Sequence, residues 1–143
     1  MYILLELASY VSAAVFLVLE TRKKYSDFYM TCVYNLARGY KSAPAVQRHQ
    51  YAQEAYCDPD RDRMLQTVRR TAKPCLAFKV LAATRKCANQ ETVREAITHV
   101  MHRIKPTDGL VIGMFPKYTN QIEQNAQYVR GALNSQEGER REA

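Results

Sequence analysis

Several patterns that announce common functions are missing from this sequence. Its four cysteines, Cys32, Cys57, Cys75 and Cys87, form no CxxC pair and show no zinc-site spacing, so they read as reduced, mostly buried thiols rather than as metal ligands or disulfides. No run of about 20 apolar residues is present, as a membrane helix would need. Residues 7–19 come nearest, but Glu6 interrupts the run on one side and Arg22, Lys23 and Lys24 close it on the other. The start carries no basic side chain, so it does not read as a cleavable signal. The expected compartment is the cytoplasm, where disulfides are rare. Basic residues are scattered, with small clusters such as Arg69-Arg70 and Arg140-Arg141, and no lysine-arginine stripe is interleaved with stacking aromatics. This argues against specific nucleic-acid binding. A glycine-rich dinucleotide fingerprint is also missing, so a nicotinamide nucleotide has no motif behind it.

The 143 residues that are present fit one domain with a real core. A formal charge of +7 favours anionic partners. The chain is organised around residues 73–86, where Pro74 marks a boundary and the apolar run behind it reads as a strand over 75–82, buried on both faces. Lys79 lies in that run. A buried lysine loses hydration worth several kcal/mol, so it is expected to reach a polar site or pair with an anion.

Residues 2–12 have apolar positions at helical spacing, and 13–20 fit either a continuation of that helix or a short strand. A strand is expected at 28–33, with a helix starting at Ser26 as the alternative. From 39 to 57 the composition turns polar without a period, which predicts a long loop acting as an ordered cover. Asp58 and Pro59 announce a helix, with Asp58 accepting from its free backbone donors. Asn89 caps a helix whose Val93, Ala96, Ile97, Val100, Met101 and Ile104 share one face, leaving His99 and His102 on the wet face. Residues 109–115 predict another doubly buried strand. Thr119 or Asn120 caps a last helix with Ile122, Ala126, Val129 and Leu133 inward, and 134–143 reads as a frayed polar tail.

Strands alternating with helices imply an α/β class with a parallel sheet and helical crossovers. The runs 60–64, 73–83, 104–109 and 113–116 resemble the C-terminal part of an uncharacterised bacterial TIM-barrel family, itself loosely similar to aldo/keto reductases and sugar-isomerase-like barrels. The resemblance covers about residues 27–133, with 73–83 and 113–116 its most specific parts. It implies that 28–33, 75–82 and 110–114 are the last three strands of a (β/α)8 barrel, so that residues 1–133 form a half-barrel-like domain. A whole barrel takes about 250 residues, and a partial one leaves a sheet edge open, which predicts self-association.

Sites on such sheets collect at the C-terminal ends of the strands. Strand alternation puts Cys75, Ala77, Lys79 and Leu81 on one face, which suits a barrel interior, and the bulkier Leu76, Phe78 and Val80 towards the helices. Lys79 is the candidate catalytic group, by Schiff-base or general-base chemistry, or else a structural ion-pairing or snorkelling lysine. Arg85 and Lys117, in the loops after the last two strands, are candidates for holding an anion, and Tyr34, Asn35 and Arg38 for lining the mouth. Asp27 and Asp108 fall at the opposite end of the sheet. His49, Cys57 and Asp58 do not make a metal set, so no metal site is expected. Three functions follow: a barrel-derived enzyme or remnant, of lyase, isomerase or oxidoreductase type, acting on a small anionic or carbonyl-bearing metabolite; a catalytically silent domain that binds a partner chain or itself through an open edge; or, least expected, a membrane-tethered domain using residues 1–19.

Overall fold

The structure is a computed structural model that describes residues 27–36 and 56–142. The readings placed on residues 1–26, on Arg38 and His49, and on most of the loop 39–57 lie outside the described residues. In chain order the elements are β1 (Tyr29–Cys32), α1 (Asp58–Arg70), β2 (Cys75–Phe78), α2 (Gln90–Met101), β3 (Gly109–Val111) and α3 (Gln121–Glu142).

The strands form one parallel sheet in the order β1-β2-β3, with Thr31 opposite Ala77 and Ala77 opposite Leu110. The α/β class and the parallel pairing are therefore both present. Each strand is shorter than its apolar run suggested. β2 stops at Phe78 rather than continuing to Ala82, and Lys79 has φ 63°, which ends the extended ladder. Lys79 is thus not inside a buried strand but on the first residue after one. β3 ends at Val111, and Met114 and Phe115, expected to be buried, are 44% and 65% exposed.

Which face meets the helices is also the reverse of the sequence expectation. Cys75 packs with Met64 and Val68 of α1, and Ala77 joins Leu65 of α1 with Ile97 and Val100 of α2. The physical reason is distance: small side chains on a strand let a helix layer approach closely, and helix residues of ordinary size then fill the gap. Leu76 and Phe78 point to the other face, where both are only partly buried.

The helix starts follow local chemistry with one exception. Asn89 Oδ1 accepts from Thr92 N–H at 2.9 Å while Thr92 Oγ1 accepts from Asn89 N–H, a reciprocal capping box. Asn120 Oδ1 accepts from Glu123 N–H at the start of α3. Asp58 departs from its expected role: the cap position of α1 is Cys57, with no side-chain bond, and the Asp58 carboxylate is engaged elsewhere. At the N-terminal end of the sheet, Asp108 accepts from Cys75 N–H at 2.8 Å and from the Lys105 ammonium, tying the start of β2 to the α2–β3 connection. α3 runs on to Glu142, past the position where a frayed tail is expected, and Gln136 donates to Met101 O to hold it on α2. Its buried side is Asn125 and Ala132; Ile122 and Leu133, expected inward, are 58% and 43% exposed.

Candidate functional site

The connection from β2 to α2 shapes the C-terminal end of the sheet. Lys79, Ala82, Ala83 and Thr84 all have positive φ, at 63°, 50°, 46° and 73°. Side chains with a Cβ lose about 1–2 kcal/mol per residue in this region, and consecutive left-handed residues are rare. The neighbours offset the cost. Ala82 N–H donates to Lys79 O at 2.8 Å and Cys87 N–H to Thr84 O at 2.9 Å. The Arg85 guanidinium donates back to Ala82 O and Ala83 O and lies over the Tyr56 ring, 4.4 Å from its centroid. Val80 and Ala82 are buried in the main core, so the turn is fastened from beneath as well.

On one flank of this turn is a dense polar network. Lys86 Nζ donates to Asp58 at 2.9 Å, and the buried Arg61 guanidinium bridges Asp58 at 3.2 Å and Asp62 at 3.1 Å. His99 Nε2 meets Asp62 at 2.6 Å, and Tyr34 Oη donates to Asp58 at 3.5 Å. Burial alone would raise both carboxyls, but Lys86 and Arg61 hold Asp58 below the ordinary carboxylate value, and His99 and Arg61 do the same for Asp62. Burial raises the Tyr34 phenol, with Asp58 adding to it. Burial lowers the His99 imidazole, and Arg61 and Arg103 add to the shift against the pull of Asp62. His99 is thus engaged by α1 rather than simply solvated, and His102 makes an exposed contact with Ser135 of α3 at 3.2 Å.

On the other flank, across the ends of β2 and β3, is a cavity of about 1010 Å³. Phe78, Leu81, Val93, Val111, Ile112, Met114 and Phe115 give it apolar walls, and among the described residues that line it Lys79 is the single charged one. The Lys79 ammonium donates to Tyr56 Oη at 3.3 Å, so its stem belongs to the cavity wall and its tip to the rim. Tyr56 in turn packs edge-on against Tyr34 with centroids 5.2 Å apart.

The structure therefore brings three of the expected site residues together: Tyr34, Lys79 and Arg85 all converge on Tyr56. Asn35 follows Tyr34 and is partly buried. Lys117 does not join them; it is exposed and its ammonium lies 5.1 Å over the Tyr118 ring. Arg38 is outside the described residues. Cys87 lines the cavity, but burial raises its thiol, which keeps it protonated. Sequence reasoning missed Tyr56, Arg61, Asp62 and His99 as site neighbours. The alternating charges of 58–63 are the signal that points to them, since acids and bases packed that closely on one helical turn need partners from elsewhere. It also missed Gln124 and Asn125, for which the sequence carries no signal.

Among the described residues no group of His, Cys, Asp and Glu could hold a metal ion, and no helix is long and apolar enough to cross a membrane. The chain matches no family model, and comparison with curated proteins and with solved structures finds no similar protein. What the fold and the geometry define is an α/β domain with a cavity at the C-terminal end of a parallel sheet.

Proposed function

We propose that this domain binds a small anionic or carbonyl-bearing metabolite in the cavity at the ends of β2 and β3, with Lys79 as the group that meets its charge or its carbonyl. The observation that carries the reading is that a largely apolar cavity of about 1010 Å³ has, among the described residues of its wall, one charged residue, Lys79. An otherwise greasy pocket with few polar groups in fixed positions is the usual make-up of a small-molecule site. The location agrees, because parallel sheets place ligands beyond the carboxyl ends of their strands. The strand order β1-β2-β3, with α1 and α2 against one face, also supports reading the sheet as consecutive strands of a (β/α)8-type barrel. Arg85 acts in this reading as a brace: its guanidinium fastens the left-handed turn that sets the position of Lys79.

If the bound molecule is a carbonyl compound, the neutral Lys79 amine adds to the carbonyl carbon and the adduct loses water to give an imine. Borohydride then delivers hydride to the imine carbon and leaves a stable secondary amine. Trapping with pyruvate and with glyceraldehyde, followed by peptide mass spectrometry, is expected to place the label on Lys79. For anions, titration with inorganic phosphate and pyruvate is expected to shift the amide resonances of residues 79–89, and Lys79→Met to abolish the shifts. A folded sample that shows neither label nor shifts at millimolar ligand ends the proposal.

A second reading, a silent domain that binds a partner or itself, is favoured by a different observation. Val111, Met114, Phe115, Ile122 and Leu133 are all more than 40% exposed on and around β3 and α3. Apolar exposure grouped in this way marks interaction surfaces. Sedimentation of the chain across a concentration series tests it, and a monomer at every concentration counts against self-association.

A further inference from the structure

A second cavity, of about 620 Å³, is walled by the end of α2, by β3 and by α3. The apolar stripe that the sequence directs inward from α3, Ile122, Ala126, Val129 and Leu133, borders this space instead of a closed core. That is why Ile122 and Leu133 keep so much exposed surface. Met101, Ile104, Leu110 and Ile112 supply more apolar wall. Folded interiors leave few voids larger than a water molecule, and this volume falls in the range of small-molecule pockets, roughly 300–1,000 Å³.

The polar groups of the wall are engaged or exposed, with one exception. The Lys105 ammonium is held by Asp108 and by Val68 O, and Gln136 donates to Met101 O. Arg130 pairs with Glu123 at the surface, and Glu137 is exposed. Asn125 is the exception: it is nine-tenths buried, and no hydrogen bond joins its carboxamide to the described residues. Nor is that carboxamide sealed off. Among the described residues, the buried side-chain atoms with neither a partner nor contact with solvent are Thr31 Oγ1 and Gln124 Oε1. Asn125 therefore remains open to the space it borders, beside Ile122, Ala126 and Val129 of the same helix.

An unpaired carboxamide in poorly hydrated surroundings costs free energy, which leucine at the same position of the stripe would avoid. A carboxamide presents a donor and an acceptor side by side, so its best partner is a group that presents both in return. We propose that the cavity between β3 and α3 is a second binding site, for a small apolar molecule with a carboxamide-type group: the apolar body lies on the α3 stripe and the amide pairs with Asn125. This site is distinct from the one assigned to Lys79, and it gives the exposed Ile122 and Leu133 an occupant other than a protein partner.

Octanamide and 2-nonanone test it, because they share a shape and a carbonyl but only the amide has a donor. Binding of each to the intact chain is followed through the backbone amide resonances of residues 101–112 and 122–136, with 79–89 recorded alongside. Octanamide is expected to shift the first two groups and to bind about tenfold more tightly than the ketone. Asn125→Leu, close to it in size, is expected to erase the preference while the ketone binds as before. Lys79→Met is expected to leave octanamide binding unchanged, which keeps this result separate from the fate of the Lys79 site. Equal or weaker binding of octanamide to the unmutated chain overturns the proposal, and that comparison needs no variant. Shifts confined to 79–89 also overturn it, since Asn125 borders the Lys79 cavity as well and the amide would be entering there. So does an absence of binding combined with resonances of 122–136 that move with protein concentration, which would make this face a contact between copies of the chain.

Discussion

The two flanks of the turn at 79–86 differ in how fully their polar groups are partnered. Towards α1, the side-chain groups of Asp58, Arg61, Asp62, Lys86 and His99 are joined in one continuous set of contacts of 2.6–3.2 Å. Towards β3 and α3, the wall of the cavity includes Gln124, whose buried Oε1 is unpaired, and exposed Met114 and Phe115. The contrast divides the labour. A joined charge network is stiffer than separate groups, because moving its carboxylates leaves the buried Arg61 guanidinium without partners. It holds the strained turn still, and the turn presents Lys79 to the side where polar capacity is left over. The placement of Lys79 is thus set by groups that do not themselves line the cavity.

The largest effect is expected where the saturated flank is broken. Arg61 is 8% exposed and touches two carboxylates, so Arg61→Ala leaves Asp58 and Asp62 with weaker neutralisation and opens a void under them. Buried pairs broken from one side typically lose 3–5 kcal/mol. Both aspartates are nearly half exposed, so solvent screening brings the expected loss to about 2 kcal/mol, measured by urea denaturation. A loss under ~0.5 kcal/mol would show that the network is not what stiffens this flank.

A smaller effect on the same flank comes from pH. The folded chain lowers the His99 imidazole below its ordinary value of 6.5, chiefly by burial, so the unfolded chain takes up the proton first. Stability is then complete above that value and falls as the pH drops through it. Asp58 and Asp62, held below their ordinary value of 3.8, withdraw their own contribution only in stronger acid. Thermal melts should therefore show a decline between pH 7 and pH 5 that is lost in His99→Gln. A decline of the same size in that variant would assign it to other groups.

These partners were not legible from sequence order, and the reason is distance along the chain. His99 and Asp62 are separated by 37 positions, and helical periodicity says only that His99 is off the apolar stripe, not that another helix lies beside it. The parallel α/β class was legible, because Cys75, Ala77 and the Val93–Val100 stripe are written at the periods of strand and helix. Asn89 was legible as a cap for the same local reason. The place of Lys79 was not: a lysine in an apolar run reads as part of a strand, and alanines carry no mark of a left-handed turn. Nor could alternation alone say which face of β2 would meet the helices. The partial-barrel reading rests on the resemblance of runs such as 73–83 and not on the sheet, since three parallel strands are common to many α/β folds.

The turn itself supplies the next test. Ala83 has φ 46° and is exposed, so a glycine there removes the Cβ conflict without opening a cavity. Relief of about 1 kcal/mol is offset in part by the entropy glycine gains in the unfolded chain, leaving an expected gain of about 0.5 kcal/mol. If Ala83→Gly is destabilising, the backbone at 82–84 is not left-handed, and the position assigned to Lys79 changes with it.

The smallest change is expected on the open flank, and its sign is the point of the measurement. Gln124→Met removes a buried oxygen that has no partner and puts in a thioether of nearly equal length. If the open flank contributes nothing to folding, stability should stay level or rise by about 0.5 kcal/mol, because losing an unpaired acceptor lifts a penalty and Met adapts to irregular space. A fall of more than ~1 kcal/mol would mean that Gln124 already has a bond worth keeping in the folded chain. That result would place it with Arg61 among the groups that hold the fold, and the division between a rigid flank and a receptive one would no longer describe this end of the sheet.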